Sequence, residues 1–376
     1  MDKIRKQIRA VSSRSTLVVM IALLAVLAVT ATACGGEESA ETSETTEPKA
    51  AGPERLVLMT HDSFAVSDHV WASFKEQTGI DVEVLRAGDA GAMLNQAILT
   101  ADNPVADVLF GVDNTFLSRA LKADLFVPYA SDLLQEVPES LQLDEENRVT
   151  PVDFGDVCLN YDKALIGGPG QPPVPTDLRD LTQPEYRSLL VVEDPATSSP
   201  GLAFLLATVA TFGEEGDYTW RDYWADLREN DVLAVSGWEE AYYSHFSAAG
   251  DGDRPLVVSY ASSPPAEVIF AEEALDEAPT GAVTAGAFRQ IEFAGILRGT
   301  EKEEAARQLI DFMLSLEFQE DIPLNMFVFP ANQEAELPPE FIEYTELAEN
   351  PLTVDPETIE ENRETWIEEW QEIVLR

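Results

Sequence analysis

The sequence predicts an α/β protein built from two blocks, each with a largely parallel sheet. Strand-length apolar runs alternate with helix-period stretches from residue 56 onward, the same rhythm restarts near Asp153, and some 320 residues carry it. That length suffices for two domains, and 45% hydrophobic residues is ordinary for a globular chain.

The first strand is Leu56 to Met59, ending in the polar turn Thr60-His61-Asp62-Ser63. A helix is expected from Asp68, as N-cap, through Val70, Trp71 and Phe74 to Gln77, with Gly79 as its stop. Ile80, Val82 and Val84 alternate with acids, which indicates a strand to Leu85. After the loop Gly88-Asp89-Ala90-Gly91 come a helix around Met93 to Leu99 and a buried strand at Val108-Leu109-Phe110. In the second block, Leu189 to Val192 reads as strand, and Ser198 or Ser199 caps an apolar helix to Phe212 with Pro200 in its first turn. Val232 to Val235 is a strand, Gly237-Trp238 a loop, Glu239 to Phe246 a helix, and Leu256 to Tyr260 another strand. Amphipathic helices are expected at Glu301 to Leu316 and after Asp355-Pro356, the latter with Trp366 and Trp370 on one packing face.

In parallel sheets, ligands sit beyond the carboxyl ends of the strands. Those ends carry His61, Asp62 and Ser63, then Asp89, then Asp113 and Asn114, then Ser198 and Ser199, then Trp238 and Tyr260. The acids and serines could converge on one cleft or merely cap helices, and the two aromatics could equally be core packing. A capped, exposed helix start is also an anion site.

The N-terminus reads as an export signal. Lys3, Arg5, Lys6, Arg9 and Arg14 precede the apolar run Leu17 to Val29, and Ala31-Thr32-Ala33 abut Cys34. This layout resembles a bacterial lipobox, with residues 1–33 removed and Cys34 acylated. An uncleaved anchoring helix is the alternative. Residues 35–54 lack large apolar side chains and are rich in Glu, Ser and Thr, which predicts a flexible leash. No second apolar run approaches spanning length.

The chain has 24 basic and 69 acidic residues; without residues 1–33 the balance is 19 to 68. Such charge argues against nucleic acid and suits a cationic ligand or a salty medium. Phosphate-loop, HExxH, paired-cysteine and GxSxG motifs are absent, so neither an enzyme nor a metal or cofactor site is expected. The histidines His61, His69 and His245 lie far apart, and Cys158 reads as a small buried hydrophobe.

From Leu56 to Arg376 the chain resembles the thiamine-binding proteins that serve ABC importers. The motifs carrying the resemblance are THDSF (60–64), GDAGAMLNQ (88–96), ADVLFGVDN (106–114), EDPATSSPG (193–201), SGWEEAY (236–242), VVSYASSP (257–264) and FVFPA (327–331). The resemblance implies a two-lobed, hinged, type II periplasmic-binding-protein-like α/β fold. Its lobes would be 55–154 plus 262–330 and 155–261 plus 331–376. It would act as a monomer delivering thiamine or its phosphates to a permease and its ATPase. Asp89 would meet the vitamin, Ser198 its hydroxyl or phosphate end, and Trp238, Tyr260 and Phe327 its rings. His61 stands where the family can carry a tyrosine. Residues 65–68 lack a tryptophan found in some relatives, and Ala266 replaces an aromatic.

The chemistry suits the residues. Thiamine carries a fixed positive charge that aromatic faces attract by about 0.5–2 kcal/mol each. Rival readings are a ferric-ion receptor using Tyr242-Tyr243, a polyamine receptor, and a thiamine-degrading enzyme with Cys158 as nucleophile.

Overall fold

The computed structural model describes residues 54–376 apart from 251, 272 and 273. The leader, Cys34 and nearly all of the predicted leash lie outside the described residues. Glu54, assigned to the leash, instead begins the first strand.

Ten strands form one sheet: β1 (Glu54–Thr60), β2 (Ile80–Arg86), β3 (Val108–Asp113), β4 (Phe126–Val127), β5 (Thr150–Asp162), β6 (Leu190–Glu193), β7 (Leu233–Val235), β8 (Leu256–Tyr260), β9 (Thr280–Leu297) and β10 (Phe329–Pro330). The order is β2-β1-β3-β9-β5-β8-β6-β7, with β4 on β9 and β10 on β5. The outer pairs are parallel, as expected for each block. The centre is not. β9 runs antiparallel to β3 and β5, and β5 antiparallel to β8, so the sheet is mixed. The supposed start of the second block at Asp153 lies within β5, and β9 was not foreseen as a strand. These two long strands join the halves, and β5 shifts register against β9 between Val157 and Leu159.

Among the described residues six helices reach ten residues: α1 (Asp68–Thr78), α2 (Ala90–Leu99), α3 (Ser199–Phe212), α4 (Trp220–Glu229), α5 (Glu303–Met313) and α6 (Pro356–Val374). Gly79 ends α1 in the left-handed conformation, as its place in the sequence predicts, but the N-cap is Ser67 and Asp68 is the first helical residue. The helix after Gly237 is a single turn, Trp238–Glu240, continuing as a π-helical turn, Ala241–His245.

Both faces of the sheet are covered, which explains why β3 is apolar at consecutive positions. Val108 and Phe110 enter a core under α1 and α5, while Leu109 and Val112 enter a larger one under α2, α3, α4 and α6. Trp366 and Trp370 are buried in that larger core, with Trp370 edge-on to Trp224 at 5.4 Å. Among the described residues no helix is long and apolar enough to cross a membrane.

Candidate functional site

A cleft of about 560 Å³, open mouth included, lies where the two halves of the sheet meet. The end of β1 supplies His61 and Ser63, and the loop after β2 supplies Asp89. Ser199 comes from the start of α3, Trp238 from the turn after β7, Tyr260 from the end of β8, and Phe327 from the segment before β10. Seven of the ten predicted ligand-binding residues thus surround one space, six expected at strand ends and Phe327 from the resemblance.

Three predicted residues do not line it. Asp62 is exposed, and its Oδ1 accepts the Gly88 N–H at 3.0 Å, bracing the loops after β1 and β2. Asp113 is fully buried behind the cleft, where its Oδ1 accepts from Thr115 N, Thr115 Oγ1 and Phe116 N. Ser198 is the buried N-cap of α3.

Asp89 is the N-cap of α2. Its Oδ1 accepts from Ala90 N at 2.7 Å, and its Oδ2 accepts from Trp238 N at 3.2 Å, across the cleft. A second cross-cleft bond runs from Gly91 N to Thr197 O at 3.0 Å. Burial raises the Asp89 pKa, while the Ala90 N–H, His61 and the Trp238 N–H oppose the rise.

The aromatic walls are fixed from behind. Trp238 donates from Nε1 to Ser259 Oγ at 2.8 Å and stacks on Tyr242 at 5.0 Å. Tyr260 donates from its hydroxyl to Gln290 Oε1 at 3.1 Å. Its ring covers Gly155, where a Cβ would lie 2.9 Å from Tyr260 Cδ1. Phe327 packs edge-on to Phe270 at 5.2 Å and holds φ at +58°, a conformation costing an aromatic residue about 1–2 kcal/mol. Strain of that kind is retained where the side chain must be aimed.

The floor contains residues that the sequence reading missed. Glu292 of β9 lines the cleft, its Oε1 3.5 Å from His61 Nε2, an ion-pair separation rather than a hydrogen bond. Gln290 Nε2 donates to the same oxygen at 3.4 Å. Asp153 of β5 lies beside Glu292, fully buried. The signal for these residues was the alternation Gln290-Ile291-Glu292-Phe293, which puts both polar side chains on one face of a strand. Gly111, at φ +100°, leaves room for the His61 ring; a Cβ there would run into the imidazole.

Burial by itself would lower the His61 pKa, but Glu292, with Asp89 and Asp62 behind it, raises it. Glu292 is lowered despite its burial, because His61, Asp153 and Gln290 stabilise its charge. Burial and the Glu292 charge push the Asp153 pKa well up. Burial pushes Asp113 up to about 7 against the pull of the Thr115 and Ser199 hydroxyls.

The other histidines lie elsewhere: His69 is exposed on α1, and His245 lies 4.0 Å from Glu240. Tyr242 is buried outside the cleft and donates to Glu267 Oε1 at 3.1 Å. Cys158 is buried in β5, where desolvation pushes its thiol pKa far up.

Residues 103–348 match the model of a family described as bacterial extracellular solute-binding proteins. The chain is 29% identical to a thiamine-binding periplasmic protein of Escherichia coli K12, covering 85% of this chain and 94% of the relative. To the protein of the same name from Brucella abortus it is 27% identical, over 86% and 93%. Among solved structures, a periplasmic thiamin binding protein superposes with a TM-score of 0.74 at 28% identity, covering 86% of this chain and 96% of the other. A ferric binding protein from Campylobacter jejuni, at 17% identity and a TM-score of 0.68, shares the fold, covering 85% of this chain and 99% of that one. With the type II, two-lobed architecture and a cleft between its lobes, the chain belongs to the bacterial extracellular solute-binding protein family.

Proposed function

We propose that this protein is an extracytoplasmic receptor for thiamine or its phosphate esters, held at the membrane by lipid on Cys34 and delivering its ligand to an ABC permease. One observation carries the reading. The cleft brings together two groups: Asp89 and Glu292 with the aromatic faces of Trp238, Tyr260 and Phe327, and the first turn of α3 with Ser199. A thiazolium and aminopyrimidine suit the first group, and a hydroxyl or phosphate suits the second. Relatives named for thiamine binding support it.

The lobes we propose are 55–154 with 262–330, and 155–261 with 331–376, closing by a hinge through β5 and β9. The ferric reading needs Tyr242 as a ligand, yet its hydroxyl is engaged by Glu267 and its ring by Trp238. The degradative reading needs a thiolate that the surroundings of Cys158 disfavour.

Calorimetric titration with thiamine, its phosphates, spermidine and ferric iron tests the proposal. One-to-one thiamine binding with Kd below about 1 μM is expected, roughly −8 kcal/mol. A folded sample giving no heat with any thiamine form would overturn it.

A further inference from the structure

The cleft floor sets a histidine against a carboxylate. Among the described residues no Lys or Arg lines the cleft, so His61 is its single titratable cation, 13% exposed and facing Glu292 at 3.5 Å. Every other ionisable group packed around the pair is an acid or a phenol. Asp62 and Asp89 face His61 from the loops after β1 and β2, and Glu239 faces it from the turn after β7. Asp153 of β5, Asp113 of β3 and Tyr260 of β8 surround Glu292. Arg86 acts on Glu239.

We propose that His61 is a specificity-determining residue that exchanges its proton for the ligand's fixed positive charge: the imidazolium neutralises Glu292 before binding and releases its proton to solvent when a cation takes its place.

This inference rests on the thiamine reading and adds to it a proton stoichiometry. A charge placed among Glu292, Asp89 and Trp238 lies against the imidazolium at low effective dielectric, where two like charges cannot both persist. His61 is the group that yields, because its neutral form is the ordinary state of a buried imidazole. The raised His61 pKa before binding follows from the same carboxylates. The linkage has a definite sign. Below the His61 pKa, binding must displace a proton, so affinity rises about tenfold per pH unit; above it, affinity levels off. A neutral isostere displaces nothing and gains nothing. The pocket would thus discriminate by charge more strongly at alkaline than at acid pH.

The test is titration of the protein with thiamine and with its neutral thiophene isostere near pH 6, in MES and in bis-Tris, whose ionisation enthalpies differ. Thiamine should release about one proton per site, seen as a buffer-dependent heat, and the isostere none. His61→Gln should still bind thiamine, with the buffer dependence abolished, and Asp153→Asn should retain the release. Equal heats in both buffers for wild type, or release persisting in His61→Gln, would overturn the exchange while leaving thiamine binding intact. Absence of any thiamine heat would instead overturn the ligand assignment and this inference with it. Should His61→Gln not fold, NMR of the wild type decides. With three histidines in the chain, the His61 ring resonances should move from charged to neutral positions on saturation with thiamine, and unchanged positions would count against the proposal.

Discussion

Two helices begin at the cleft, and they are finished in opposite ways. At α2 the N-cap carboxylate of Asp89 closes the helix on itself through Ala90 N and reaches across to Trp238 N. At α3 the N-cap Ser198 makes no capping bond and Pro200 removes a donor from the first turn, while the buried Ser198 and Ser199 hydroxyls face Asp89 and Asp113. Helix starts are positive ends. The first is cancelled by its own acid, and the second is left available. The acid at α2 therefore suits a cation and the open start of α3 an anion or hydroxyl, so the two ends of a dipolar ligand would have different partners.

The largest effect expected from breaking this contrast comes from behind α3, where Asp113 faces Ser199. Its folded pKa of about 7 lies above the ordinary 3.8, so the folded protein keeps a proton that the unfolded chain loses between those values. Stability from this group is full below about pH 4 and is lost as pH rises to about 7. Asn can accept the same three hydrogen bonds at Oδ1 without ionising. Asp113→Asn should accordingly gain about 3 kcal/mol over wild type between pH 5 and 8, measured as the change in their stability difference by denaturant unfolding. A constant difference across that range would mean that Asp113 is ionised throughout.

Removing the acid at α2 comes next. Asp89→Ala loses the cap, the bond to Trp238 and the complement to a cation, and should weaken thiamine binding about 30-fold, or about 2 kcal/mol. Asp89→Asn keeps a capping oxygen but not the charge, so the difference between the two variants isolates the cation term. Trp238→Ala should cost about tenfold. Its ring is held by Ser259 and Tyr242, so a rigid face is lost rather than a mobile one.

What could be read from the sequence follows the same division. Parallel strands with turn-rich ends mark their own termini, so local pattern puts His61, Asp89, Trp238 and Tyr260 at strand ends, while the choice of cleft over core for the two aromatics needs the resemblance. Asp113 was placed at a strand end correctly, but as the last residue of a strand buried on both faces it points into the interior. Glu292 was missed because Gly281, Ala282, Ala285, Gly286 and Ala287, residues of weak strand preference, fill much of the first half of β9, which is held by β3 and β5 far away in sequence. The N-cap of α1 is Ser67 rather than Asp68, and Ser67 N donates to Asp321 Oδ2, a contact 254 residues away that no local pattern encodes.

The smallest effect tests the open end of α3. Ser199→Ala removes a hydroxyl that lines the cleft and leaves the backbone N–H groups of the helix in place. Free thiamine presents only a hydroxyl, for which one neutral hydrogen bond is worth about 1 kcal/mol or less. A phosphate would draw on the helix start as well as the serine, and hydrogen bonds to a charged group are stronger. Ser199→Ala should therefore weaken thiamine monophosphate about fivefold and thiamine less than twofold, read from paired calorimetric titrations. Equal losses for both would place the phosphate away from α3, in which case the contrast between the two helix starts would orient the cation alone.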